Sequence, residues 1–127
     1  MRYLLLIYTP EPTEQAPEEA MGAEIGDYNA FGAWLTERDM FRAGEALHPT
    51  SAATTVRVRD GKTITTDGPF AETKEALGGF YMIEAANLDD AIEAAARIPG
   101  AKQGSIEVRP IWEFAAEPAA GAVASAS

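Results

Sequence analysis

Hydrophobic and polar positions alternate with two different periods along this chain, and each change of period marks an element. The run Leu4-Leu5-Leu6-Ile7-Tyr8, preceded by Arg2 and Tyr3, is short, aliphatic and aromatic, which predicts a buried strand over Arg2–Tyr8. Thr9-Pro10-Glu11-Pro12 ends it, because proline donates no ladder hydrogen bond and restricts the residue before it. From about Pro17 to Arg38 the spacing becomes three and four. Met21, Ile25, Tyr28, Phe31 and Leu35 share one face with Trp34 beside them, which predicts an amphipathic helix. Gly22, Gly26 and Gly32 each weaken such a helix by about 1 kcal/mol relative to alanine, so close packing against a sheet is expected there.

Beyond the helix, Phe41–Leu47 reads as a short strand. Thr54–Arg59 alternates strictly between apolar and basic positions, Asp60-Gly61 has the chemistry of a two-residue primed turn, and Lys62–Thr66 returns antiparallel. A loop runs from Asp67 to Gly79, and Phe80–Glu84 is the next strand. Asn87 or Asp89 caps a second helix with the stripe Leu88, Ala91, Ile92, Ala95, closed by Pro99-Gly100. Ser105–Phe114 is the last strand, alternating at Ile106 and Val108. Residues 115–127, rich in Ala and Ser, carry no pattern and are expected to form a disordered tail.

Strands and helices in the order β-α-β-β(β)-β-α-β predict an α+β protein with an antiparallel sheet, a ferredoxin-like sandwich over residues 1–114. Its helices cover one face of the sheet only. The other face needs a cover, and pairing with a second copy predicts a homodimer, for which Tyr3, Phe80, Met82 and Trp112 are the expected apolar contacts.

Composition narrows the function. At 127 residues the chain is one domain with room for a core, and no apolar run approaches the roughly 18 residues of a membrane helix, so no membrane role is expected. The absence of cysteine excludes disulfides, a thiolate nucleophile and a Cys-based zinc site, and leaves a cytoplasmic location as the expectation. A net charge of −10 argues against nucleic acid as a partner. The charge is uneven. No base lies between Arg2 and Arg38, while seven acids fall from Glu11 to Glu37, either a solvated face or a docking surface for a basic partner.

Candidate chemistry centres on the run Asp67-Gly-Pro-Phe-Ala-Glu-Thr-Lys-Glu-Ala-Leu-Gly-Gly-Phe80, longer than a hairpin connection requires. Two readings of Asp67 stand side by side. It caps turn amides while Gly68-Pro69 supplies the bend, or it enters a cavity with Lys74 as an acid/base or anion-binding pair. In the second reading the loop folds over the open sheet face, and Tyr8, Phe70 and Tyr81 line the cavity with Glu11 and Glu75 at its rim. His48, the lone histidine, precedes Pro49 and is either a surface residue or a general base. No metal or cofactor is expected, since neither metal-ligand spacing, a nucleotide-binding glycine motif nor a nucleophile elbow is present.

The residues Met1–Tyr8, Ala53–Gly61, Asp67–Glu75, Leu77–Tyr81, Ala94–Pro99 and Gly104–Pro110 together resemble the YCII-related family, in its DGPF subgroup, over about residues 1–114. The resemblance implies a dimeric α+β barrel. It also implies a His–Asp pair, as in relatives that include a dechlorinase of chlorinated hydroxyquinols. At the matching positions this chain has Tyr28 and the Ile98-Pro99 region, so any chemistry falls to Asp67, His48 and Lys74. A link to extracytoplasmic-function sigma factors is implied by family context alone. Two functions follow as expectations: a pocket beneath the 67–79 loop for a small anionic or phenolic ligand, or a non-catalytic regulatory protein working through its acidic helix.

Overall fold

The computed structural model describes residues 1–12 and 18–114. The expected tail, residues 115–127, and the first residue of the expected helix, Pro17, lie outside them. Six strands and two helices are present: β1 (Arg2–Thr9), α1 (Glu18–Glu37), β2 (Phe41–Ala46), β3 (Thr54–Arg59), β4 (Lys62–Asp67), β5 (Ala76–Glu84), α2 (Leu88–Ala96) and β6 (Ser105–Pro110). Short 3-10 turns precede β3 and follow α2. Four strands form an antiparallel sheet in the order β2-β5-β1-β6, while β3 and β4 pair only with each other. Each helix joins two strands that are separated by a third, so the protein is α+β. The order accords with the split βαβ pattern expected from the sequence. The four-stranded sheet is open and does not close into a barrel within the chain.

Alternation along β1 divides the sheet. Tyr3, Leu5 and Ile7 are buried, and their cross-strand partners Ile83, Tyr81, Val108 and Ile106 lie on the same face. That face carries the core, in which Leu5, Leu35, Ile83 and Ile98 are fully buried with Phe31, Ala91 and Ala94. The opposite face presents Leu4, Leu6, Phe80 and Met82, all half-buried within the single chain. Tyr3, expected on this open face, is instead 4% exposed under the helices, because an odd-numbered position of β1 cannot reach the other side.

The helices are shorter in their packing than their patterns suggest. Only Phe31 and Leu35 of α1 are buried, with Tyr28 and Trp34 partly so, while Met21 and Ile25 face solvent. A Cβ built on Gly22, Gly26 or Gly32 would meet nothing within 4 Å, so the expected close packing at these glycines is absent. In α2 the buried stripe is Ala91, Ala94 and Ala95, and Leu88 and Ile92 point outward. Alanines there let the helix lie close to the sheet, and Asn87 caps it by accepting from the Asp90 N–H at 2.9 Å.

Two glycines set the strand approaches that shape one end of the sheet. β5 starts at Ala76, four residues before the expected Phe80, and a bulge between Ile7 and Tyr8 lets Tyr8 sit opposite Leu77. A Cβ on Gly79 would come within 2.8 Å of the Glu45 carbonyl oxygen, so the pair Gly78-Gly79 serves the bulge and the β2 contact.

Candidate functional site

The end of the sheet where β1 finishes gathers the candidate chemistry. Tyr8 is the penultimate residue of β1 and pairs with Ser105, the first residue of β6. The preceding residue, Gly104, permits this approach, since a Cβ there would fall 2.0 Å from the Tyr8 carbonyl oxygen. Thr73 and Glu75 close the third side, from the segment entering β5. Together with Ile106 and Glu107 they line an open cleft of ≈ 490 Å³. Within it the Ser105 hydroxyl donates to Glu75 Oε1 at 2.9 Å, and the Thr73 hydroxyl donates to the Glu75 carbonyl oxygen. Two carboxylates and three hydroxyl-bearing side chains therefore surround an apolar floor. Such a lining accepts hydrogen bonds from ligand O–H or N–H groups and repels anions.

Of the residues expected from sequence, Tyr8 and Glu75 meet here. Asp67 does not: it ends β4, opposite Thr54, and is exposed. The glycine after it explains the local geometry. Gly68 has φ +98°, its N–H donates to the Ala53 carbonyl at 2.7 Å, and its own carbonyl accepts from the Thr55 hydroxyl at 2.8 Å. These bonds turn the chain out of the hairpin with a backbone angle that glycine adopts freely. Lys74 is exposed between the lining residues Thr73 and Glu75, and His48 is exposed beside Pro49.

Phe70 is 81% exposed and is not among the residues that line the cleft. Tyr81 stands on the helix face, edge-on to Phe31 with ring centroids 5.0 Å apart, and is not among the residues that line the cleft with Tyr8. Burial raises its phenol pKa, and the neighbouring Tyr28 raises it further. The Tyr28 phenol is likewise raised by burial, opposed by a backbone hydrogen bond from Gly100. Tyr28 is thus a partly buried phenol packed against the turn after α2. Ser105, Thr73, Ile106 and Glu107 were missed by sequence reasoning. The split βαβ order does hold their signal, since it places the start of the last strand beside the end of the first.

Glu11 has a different task. It accepts from the Thr50 hydroxyl at 2.5 Å and the Thr50 N–H at 2.8 Å, tying the segment after β1 to the turn before β3. These bonds, the hydroxyl first, lower its carboxyl pKa below the usual range. A carboxyl with a depressed folded pKa adds stability above its unfolded value of about 4.3, and the contribution disappears as pH falls through the folded value. Thr50→Val should therefore flatten the acid limb of the stability–pH curve below about pH 4.3 while retaining the alkaline limb. Chemical denaturation at stepped pH checks this, and an unchanged acid limb would refute the pairing.

Among the described residues there is no group of three His, Asp or Glu side chains placed to hold a metal ion. No helix among them is long and apolar enough to cross a membrane.

Comparison with known proteins adds a family. The model of the YCII-related domain matches residues 1–115. An uncharacterised protein of Rhizobium meliloti is 40% identical over 114 residues, spanning 87% of this chain and 92% of its own length.

Proposed function

The chain belongs to the YCII-related family, and on that premise we propose that it is a homodimer of ferredoxin-like domains that binds a small phenolic molecule in the cleft between Tyr8, Glu75 and Ser105. One observation carries the reading. The cleft of hydrogen-bond acceptors adjoins the half-buried apolar face formed by Leu4, Leu6, Phe80 and Met82. A second copy placed on that face buries it, completes a barrel from two open sheets, and encloses the cleft. Glu75, rather than Asp67 or His48, accepts a hydrogen bond from the ligand's hydroxyl in this reading. Lys74, flanked in sequence by Thr73 and Glu75 but outside the cleft's lining, is not needed to hold a neutral phenol. We read the Asp67–Phe70 run as the mark of the DGPF subgroup.

Catechol is a suitable probe. It should raise the melting temperature of the native protein with increasing concentration, because binding to the folded state stabilises it, and benzoate should do so less. Glu75→Gln should remove most of the catechol response without lowering stability in its absence. An equal response in this variant, or none in the native protein, would sink the ligand reading. Phe80→Asp should yield monomers in sedimentation equilibrium, because an unpaired carboxylate cannot be buried cheaply in an apolar contact. A dimer unchanged by that substitution would remove the sheet face from the proposal.

A second reading, a regulatory protein that meets a basic partner such as a sigma factor, is favoured by the exposed acids of α1. Charge reversal at Glu18, Glu19 and Glu24 abolishes partner binding under that reading and leaves the catechol response intact.

A further inference from the structure

We propose that the phenol bound in the cleft carries a protonated amine, and that Glu107 is the residue that selects it. This rests on the phenol reading above and adds the ligand's charge. The cleft is lined by two carboxylates, Glu75 and Glu107, and by no base. Register sets their separation. Tyr8 lies opposite Ser105 and Leu6 opposite Glu107, so Ser105 and Glu107 project from one face of β6, about 7 Å apart, on the side of the sheet that carries Leu6. Glu75 is held at Ser105 through its Oε1 at 2.9 Å. One carboxylate therefore stands at Ser105, and the second stands one step further along the strand.

Neither carboxylate is neutralised from inside the cleft. Among the described residues Glu75 forms no ion pair, with Lys74 or any other base, and its carboxylate is held by the neutral Ser105 hydroxyl. Glu107 binds Arg109, whose Nε (2.7 Å) and Nη2 both donate to Oε2, which leaves Oε1 without a donor among the described residues. Arg109 stands outside the lining with its side chain 66% exposed, so water screens much of its effect. Two carboxylates against one guanidinium leave an excess negative charge at the cleft. Once a second copy covers the opening that charge loses its water, and a buried carboxylate without a counter-charge is costly. A neutral phenol supplies a hydrogen bond and no charge, and an acidic phenol adds to the excess. A phenol with an ammonium arm meets both requirements. Its hydroxyl donates to Glu75, and the ammonium, with three N–H donors, makes a charge-assisted bond to Glu107 Oε1.

Three catechols that differ in the charge of their arm test this by titration calorimetry of the full chain in oxygen-free buffer. Dopamine carries an ethylammonium arm, methylcatechol a neutral one and dihydroxyphenylacetate a carboxylate. Dopamine should bind about ten-fold more tightly than methylcatechol, the size of one hydrogen bond between charged groups, and dihydroxyphenylacetate most weakly. Glu107→Gln should bring the ratio of dopamine to methylcatechol affinity close to one. Glu24→Gln, which removes the same unit charge from α1, should leave the ratio at about ten. Arg109→Gln keeps Glu107 in place and removes its counter-cation, so it should widen the ratio. Equal affinity for dopamine and methylcatechol overturns the proposal while the phenol reading stands. A ratio unmoved by Glu107→Gln, lowered as much by Glu24→Gln, or narrowed by Arg109→Gln also overturns it, since the preference would then belong to the protein's overall charge. If none of the three catechols binds, the phenol reading falls and this proposal with it.

Discussion

A Gly104→Ala protein is expected to lose about 3 kcal/mol of unfolding free energy and, with it, the catechol response of the cleft. The added methyl carbon would lie 2.0 Å from the Tyr8 carbonyl oxygen and 2.9 Å from Thr9 Cα. Both are backbone atoms, so no side-chain rotation relieves the overlap, and the start of β6 has to separate from the end of β1. That separation breaks the pairing of Tyr8 with Ser105, whose hydroxyl holds Glu75. Its φ is not in the left-handed region, so the requirement for glycine is one of contact and not of dihedral freedom. Gly104→Ser should consequently do equal or greater harm. Urea unfolding of the two variants reads the effect, and a loss below about 0.5 kcal/mol would mean that the close approach does not exist in solution.

Leu5→Ala should cost a similar amount, about 3 kcal/mol, for a different reason. Leu5 is completely buried in the cluster with Leu35, Ile83 and Ile98, and the helices above it cannot collapse fully into the space vacated. Its neighbour Leu6 faces the other side of the sheet. If the proposed dimer forms on that face, Leu6→Ala should cost little in dilute protein and more as protein concentration rises, because a dimer links stability to mass action. The contrast is the test. Equal losses at Leu5 and Leu6, independent of concentration, would show that the two sheet faces are not covered in different ways.

These effects turn on features that were legible in the sequence to different degrees. The hairpin was legible to within one residue. Thr54–Arg59, Asp60-Gly61 and Lys62–Thr66 are local chemistry, the return strand running on only to Asp67, and the turn's positive φ at Asp60 and Gly61 follows from the dipeptide itself. β1 and the Asn87 cap were equally local. The apolar faces of the helices were not. Met21, Ile25, Leu88 and Ile92 fit helical periodicity as well as Phe31 and Ala91 do, yet they are exposed. Periodicity identifies one side of a helix but says nothing about how far along its axis the sheet reaches.

The site shows the same division. Tyr8 was a candidate because it ends the first strand, and Glu75 because it belongs to the charged run after Asp67. Asp67, Phe70 and Tyr81 were grouped with them because they are near in sequence or aromatic. Placing Tyr81 requires knowing that it lies opposite Leu5, and placing Asp67 requires knowing that β4 stays out of the main sheet. Ser105 came from a strand about a hundred residues away from Tyr8 along the chain, beyond the reach of any local pattern.

By itself the sequence determined the alternation of elements, the family, the glycine that bends the chain after Asp67, and the acidity of α1. Those properties depend on neighbouring residues, on backbone sterics at single positions, or on composition. Only the tertiary structure decided which side of the sheet each strand residue faces, and that Tyr8, Glu75 and Ser105 share a cleft while Asp67, Lys74 and His48 stay outside its lining. The physical reason is register. A shift of one residue between paired strands exchanges every side chain from one face to the other, and register is settled by the packing of the whole core.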